Sequence, residues 1–295
     1  MTGATGFIGA AFVRHALAAG HEVLALVRAP ARAATRLPAH PALAVLAGTL
    51  AEPPWAPIAR FGPETCVHAA WITQPRDYRD SPENARLQAE SLALARGLFE
   101  RGVRRLVALG TCEEYAPAAA PLHETRSALA PASAYARAKH ALRLALEASA
   151  SVAGASLTWA RVFQLYGAGE HPGRLPSLVV RRLRAGEQVT LHAPATVRDW
   201  IHVDDVAAAV LALVEAAPGG VVNVGTGTGT SVERVVFTLA HGLGRPGLVT
   251  VAAPAGGQAA TFVADSTRLR GLGWAPRVDL EAGLAALIRH ILGSP

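Results

Sequence analysis

The chain has few cysteines and few charges, and no long hydrophobic run. Its two cysteines in 295 residues, Cys66 and Cys112, stand in unrelated segments without CxxC or CxxH spacing. Neither a disulfide framework nor a zinc or other metal site is expected, and a reducing cytoplasm is the natural compartment. Charged residues make up 17% of the chain, yet no stretch of about 18 apolar residues runs free of charge, so no membrane span is expected. A basic-then-apolar opening of secretory type is also missing. The formal charge is +6, but the arginines are scattered among alanines and no basic run is interleaved with aromatics. Nucleic acid is therefore not the expected partner, and at most the charge attracts a small anionic substrate.

Apolar residues are plentiful, at 51%, enough for a substantial core in one large domain or two modest ones. Short β-rich runs, HEVLALV (21–27), ALAVLAG (42–48), TCVHAA (65–70), RLVALGT (105–111) and SLTWARVFQL (156–165), read as buried strands. Between them lie helical patterns at about 8–20, 83–101 and 133–150, the second opening on Ser81 as N-cap and Pro82 at the first helical position. This alternation predicts an α/β fold, a doubly wound parallel sheet with helices on both faces. After about residue 165 the regularity breaks into Gly- and Pro-containing loops, with helices near 175–186, 203–217, 231–243 and 279–291.

In GATGFIG the glycines Gly3, Gly6 and Gly9 recur at every third position, and an amphipathic segment closing on Gly20 follows at once. Side chains there would keep backbone N–H groups away from a pyrophosphate at the positive end of a helix, so Gly3, Gly6, Phe7 and Ile8 are expected to hold a dinucleotide. The alternative is an ordinary glycine-rich turn. The strand at 21–27 ends on Val27 and Arg28, where a unit preferring NAD offers an acid to the ribose hydroxyls. A guanidinium suits a 2′-phosphate, which favours NADP(H), with NAD(H) possible; Arg32 is a second candidate contact. A solvated strand-end arginine is the competing reading.

Tyr135 and Lys139 form YARAK, and i, i+4 spacing puts phenol and ammonium on one helix face. An adjacent cation is expected to lower the phenol pKa toward a useful range; an exposed pair is the plainer alternative. Thr111 ends the strand before them, where its hydroxyl can bond a carbonyl that the tyrosine protonates.

Taken together and in this order, GATGFIG, Thr111, YARAK, RVFQLYG (161–167) and RDWIHVDDVA (198–207) resemble the extended short-chain dehydrogenase/reductase family, in its nucleotide-sugar epimerase/dehydratase/reductase branch. The resemblance covers essentially the whole chain. It implies a Rossmann-type dinucleotide-binding domain over 1–165 and a smaller, mainly substrate-binding lobe over 166–295, with segments around 198–225 returning to the first domain. It also implies roles: Tyr135 as acid/base, Lys139 on the nicotinamide ribose, Thr111 on the reacting oxygen, and Arg198 on the substrate diphosphate. A salt bridge to Asp199 is the alternative for Arg198. Asn84 resembles the helix asparagine near such sites. His68 and Trp71 border cofactor and substrate or simply pack, and Asp204 and Asp205 are expected to cap the following helix. DSTRLRGLGWAP (265–276) resembles a structural part of the C-terminal lobe. A homodimer through the helices near 83–101 and 133–150 follows by analogy.

Departures from the family pattern narrow the reaction. Dehydratases of the branch carry Thr-Asp-Glu where this chain reads TCEEY, so Cys112 replaces the acid while Glu113 keeps the Glu position. Gln164 replaces the usual asparagine of RxxNxYG, and Thr49 an aspartate near the adenine. Dehydration is disfavoured, and Arg28 points to the reducing NADPH pool. The expected activity is NADPH-dependent reduction of a nucleotide-linked 4-keto-6-deoxyhexose. A nucleotide-sugar 4-epimerase using NAD is the alternative, and a non-catalytic dinucleotide-binding regulator a second one.

In the family the first strand is central, in the order 3-2-1-4-5-6, and immediately precedes TGATG. Only Met1 and Thr2 stand there in this sequence. Four absent apolar side chains at roughly 1.5–3 kcal/mol each forfeit about 6–12 kcal/mol, so the expectation is that strand residues lie upstream of Met1.

Overall fold

The near-continuous apolar runs of the first half form parallel strands, and the amphipathic stretches between them return as helices. In chain order these are α1 (Phe7–Ala18), β1 (Val23–Val27), α2 (Pro30–Arg36), β2 (Leu43–Ala47), α3 (Trp55–Phe61), β3 (Thr65–His68), α4 (Glu83–Glu100), β4 (Arg105–Thr111), α5 (Ala134–Val152) and β5 (Ser156–Val162). They are followed by β6 (Gln164–Tyr166), α6 (Leu175–Arg184), β7 (Val189–Leu191), β8 (Val197–His202), α7 (Val203–Ala216), β9 (Gly220–Val224), β10 (Gly229–Ser231), α8 (Val232–Gly242), β11 (Val249–Val251), β12 (Thr261–Phe262), α9 (Thr267–Arg270) and α10 (Leu280–Leu292). The structure, a computed structural model, describes residues 1–74, 78–253 and 260–293.

β4 lies between β3 and β5, and β9 joins beyond β5, all in parallel, with Leu109 opposite Ala160 and Ala160 opposite Val222. β1 and β2 pair in parallel as a second piece, Ala25 opposite Val45. Thr2 bridges the pieces, in parallel to Leu26 on one side and His68 on the other. Its N–H donates to Val67 O at 3.0 Å, and Met1 O accepts from Leu26 N at 2.9 Å. The strand order is therefore β2-β1-(Met1–Thr2)-β3-β4-β5-β9. Behind Met1 a cavity of about 430 Å³ separates the pieces, walled by Val23 and Leu24, by Cys66 and Val67, and by Phe12 and Leu98 from the helices.

Val13 and Leu17 of α1 and Val206, Val210 and Leu213 of α7 bury one face of the sheet, while Leu94 and Leu98 of α4 and Leu142 and Leu146 of α5 bury the other. Helices on both faces of a parallel sheet in this order make a Rossmann-type fold. α6, α8 and α10 gather a separate core around Val180, Leu183, Leu239 and Leu284. A small mixed sheet flanks it, in which β8 pairs with β6 and β12 in parallel and with β10 antiparallel.

Some local expectations are corrected. The apolar run 156–165 is two strands, because the chain leaves β5 at Phe163 and β6 pairs with β8 instead. α4 starts at Glu83, one residue later than read, with Ser81 Oγ accepting from Glu83 N. The cap of α7 is the His202 ring, whose Nδ1 accepts from Asp204 N. Asp205 is buried and accepts from Arg277 N and Val278 N, so it ties down the C-terminal segment rather than capping.

Candidate functional site

The opening loop is shaped by its glycines. Gly3 has φ +68°, and a Cβ there would stand 2.6 Å from the Ala69 carbonyl carbon; one at Gly9 would lie 2.0 Å from Gly3 O. A Cβ on Gly6 would meet only Gly3 O, at 3.1 Å, and would otherwise fill the space over the helix start. α1 begins there at Phe7 and Ile8 with no side-chain cap and no acid in its first turn. Such an end suits a diphosphate, so these residues fit a dinucleotide. His68 lies behind the loop, its Nδ1 2.8 Å from Thr2 Oγ1 and its Nε2 2.9 Å from Ser91 Oγ. Burial and the nearby Lys139 charge lower its pKa to about 3, so it is a neutral strut with both nitrogens engaged. Arg28 is exposed at the end of β1 and Arg32 is exposed on α2; neither has an ion-pair partner among the described residues.

Thr111, Tyr135 and Lys139 converge beside this loop. β4 delivers Thr111 at its last position, and its Oγ1 accepts from Glu113 N at 3.2 Å. Ser133 caps α5, fixing its first turn, and Tyr135 N donates to Arg79 O at 2.8 Å. The Tyr135 ring meets Tyr78 edge to face at 4.9 Å and Trp71 at 6.4 Å. Lys139 is buried one turn on, Nζ 4.2 Å from the Trp71 ring centre and 5.4 Å from that of Trp159. Trp71 is pinned by Nε1 donating to Asn84 Oδ1 at 2.8 Å, which gives Asn84 its place near the site.

The electrostatics differ from the sequence expectation. Burial, then the Glu113 carboxylate and Tyr78, push the Tyr135 phenol above its usual value, with the Thr111 hydroxyl pulling the other way. The cation instead yields to its surroundings: burial lowers Lys139 to about 7, opposed by Glu114. Tyr135 is thus held in its protonated form and Lys139 is poised near neutrality.

Glu113 Oε1 accepts from Tyr78 OH at 3.1 Å and from Arg79 Nη2 at 2.9 Å. Gln164 is half-buried on β6 opposite Trp200. Arg198 stacks on Phe262, 4.6 Å from the ring centre. It makes no bridge to Asp199, whose carboxylate already accepts from Thr226 N and Oγ1, Gly227 N and Ala264 N. Burial, with Glu113 next, pushes the Cys112 thiol up to about 12, so a neutral group stands at the dehydratase acid position.

Tyr78, Arg79, Trp159 and Glu114 belong to this neighbourhood and carry no motif that sequence reading exploits. One signal was available: Lys139 is the only lysine in a chain whose other 27 basic residues are arginine. Lysine shifts its pKa on burial and arginine does not, so a lone lysine in YARAK is itself a mark of chemistry.

Comparisons with known proteins place the chain in a family. A family model described as NAD dependent epimerase/dehydratase family matches residues 1–225. A UDP-glucose 4-epimerase of Mycolicibacterium smegmatis is 30% identical, over 98% of this chain and 96% of its own length. A 3-diazoavenalumate denitrifying reductase of a Streptomyces species is 33% identical, over 76% of this chain and 74% of its own. The structure of MoeE5 in complex with UDP-glucose and NAD superposes with a TM-score of 0.85 at 28% identity, covering 99% of this chain and 97% of that one. With a glycine loop shaped for a diphosphate and Thr111, Tyr135 and Lys139 beside it, the chain belongs to the NAD dependent epimerase/dehydratase family, a family of enzymes.

Proposed function

We propose that the protein reduces the keto group of a nucleotide-linked 4-keto-6-deoxyhexose with NADPH. Arg28 carries the cofactor part of this reading: β1 ends on an exposed guanidinium with no ion-pair partner among the described residues, where an acid would favour NAD. Gly3, Gly6 and the Phe7 and Ile8 amides hold the diphosphate. Bound nicotinamide supplies the hydride for the sugar carbon. Tyr135, kept protonated by its surroundings, gives its proton to the carbonyl oxygen, and the Thr111 hydroxyl orients that oxygen. Lys139 holds the ribose hydroxyls, Arg198 grips the substrate diphosphate, and Glu113 and Gln164 line the sugar. Cys112, a neutral thiol, offers no acid for loss of water. A relative named 3-diazoavenalumate denitrifying reductase, 33% identical, supports the reductive reading.

A second reading, a 4-epimerase retaining NAD, is favoured by the full-length likeness to a UDP-glucose 4-epimerase. The intact Thr111, Tyr135 and Lys139 argue against a non-catalytic regulator, which needs the cofactor grip but not the acid. Among the described residues no helix is long and apolar enough to cross a membrane. We read the protein as a cytoplasmic homodimer through α4 and α5, where Leu144 and Val152 are exposed. The deciding assay follows the absorbance of NADPH and of NADH with a panel of nucleotide ketosugars. Oxidation of NADPH supports the reductase; oxidation of neither, with NAD retained in the purified protein and interconversion of 4-epimers, replaces it by the epimerase.

A further inference from the structure

Glu114 is wholly buried, one residue from the substrate-facing Glu113 and unused by the reaction described above. Its Oε1 accepts from Thr111 N at 3.2 Å and from Trp159 Nε1 at 2.8 Å; its Oε2 accepts from Arg161 Nε at 3.1 Å and lies 3.7 Å from His140 Nδ1. The backbone is shaped around this carboxylate. A Cβ at Gly110 would stand 2.2 Å from Trp159 Nε1 and 2.9 Å from Glu114 Oε1, so only glycine lets β4 pass this close. The centre of the same Trp159 ring lies 5.4 Å from Lys139 Nζ. One carboxylate thus touches the backbone of Thr111 and bonds the indole that the chain's single lysine also approaches.

We propose that Glu114 is a positioning residue of the reaction, its carboxylate fixing the backbone that presents Thr111 and supplying, across Trp159, the buried countercharge of Lys139. The proposal rests on the reading of Thr111, Tyr135 and Lys139 as the reacting set. Burying a carboxylate is costly unless it is paired and hydrogen-bonded, and this one has a guanidinium, an indole N–H and a main-chain N–H. The charged and titratable groups around it are Arg161 on β5, Lys139 and His140 on α5 and the neighbouring Cys112 thiol; Lys139 faces in addition the neutral His68 on β3. Burial depresses the lysine and Glu114 restores part of its charge, the direction a countercharge requires.

The lone lysine makes the test direct. Protein labelled with [15N]lysine gives one side-chain signal, whose pH titration in the cofactor-free protein reads Lys139 with no assay of activity. Glu114→Gln keeps an oxygen acceptor for the indole and amide donors but removes the charge. The Lys139 midpoint is expected to fall by about one pH unit, a tenfold change in its protonation equilibrium. Glu114→Val, which also removes the acceptor, is expected to lower kcat more than tenfold with sugar KM within about twofold, the pattern of a group acting at the reacting centre. Circular dichroism establishes that both variants fold. If Glu114→Val fails to fold because Arg161 is left unpaired, Glu114→Gln alone decides: a midpoint within about 0.2 units of wild type overturns the proposal. A folded Glu114→Val with unchanged kcat overturns its Thr111 half. Full NADPH turnover by Tyr135→Phe would sink the proposed function but leave the lysine titration intact, so the two failures are distinguishable.

Discussion

The Lys139 ammonium lies 4.2 Å from the centre of the Trp71 ring. A cation over an indole is attracted to it, but the surrounding burial outweighs the attraction and lowers the lysine to about 7. The site therefore keeps its charge at a cost to the fold.

That cost predicts an activity–stability exchange for Lys139→Met. The folded-state pKa lies below the unfolded value, so between about pH 7 and pH 10.5 the unfolded chain binds more protons and stability rises with pH. The penalty is full below about pH 7 and disappears near pH 10.5. Lys139→Met lacks it. The variant is expected to melt several degrees higher than wild type at pH 6, to converge with it toward pH 10, and to lose turnover. Thermal scans across pH check this, and a variant less stable than wild type at pH 6 would refute the account.

Replacing Arg28 tests cofactor choice apart from chemistry. In Arg28→Ser the KM for NADPH is expected to rise about 10- to 100-fold, the worth of a charge-assisted contact to a phosphate, while kcat and the KM for NADH change little. Steady-state kinetics with both cofactors at low ionic strength measure this. Equal losses with the two would remove Arg28 from the 2′-phosphate role.

What the sequence revealed and concealed follows from the range of the interactions. Parallel strands and the long helices were legible because burial on both sheet faces writes itself into apolar runs, and Gly3, Gly6 and Gly9 because backbone approach tolerates no side chain. The short helices α2 and α3 were not, since seven residues show too little periodicity. Glu114 escaped because its four partners come from β4, β5 and α5, and no local pattern marks a carboxylate that will meet Arg161 and Trp159 only after the sheet assembles. Asp205 was read as a cap for the same reason: its position in VDDVA fits a helix start, while its acceptors are taken by Arg277 and Val278, over seventy residues away.

Asp205 then carries its own prediction. Its two oxygens accept from Arg277 N at 2.9 Å and Val278 N at 3.0 Å, and Trp274 Nε1 donates to its carbonyl at 3.2 Å. Asp205→Ala strands two amides at the entry to α10 and is expected to cost about 2–4 kcal/mol, read from urea unfolding. Asp205→Asn, which keeps one acceptor, should fall between. An effect under about 0.5 kcal/mol would show that the C-terminal segment is held by Trp274 and Leu284 packing alone.

At the seam between β1 and β3, Met1 and Thr2 supply the backbone bridges between two parallel pieces beside a cavity of about 430 Å³. The Met1 amino group is buried there, donating to Leu24 O at 2.6 Å, and burial lowers its pKa. A variant carrying four apolar, β-branched residues ahead of Met1 turns that amine into an amide, lines up new N–H and C=O groups along β1 and β3, and covers Leu24, Cys66 and Leu98. At about 1.5–3 kcal/mol per buried side chain the gain has an upper bound of about 6–12 kcal/mol, less whatever the unfolded chain already buries. A matched extension of serine and glycine gains no such burial and should leave stability unchanged. Urea unfolding of the three proteins decides: equal midpoints for the apolar and polar extensions would mean that the cavity does not accept a strand.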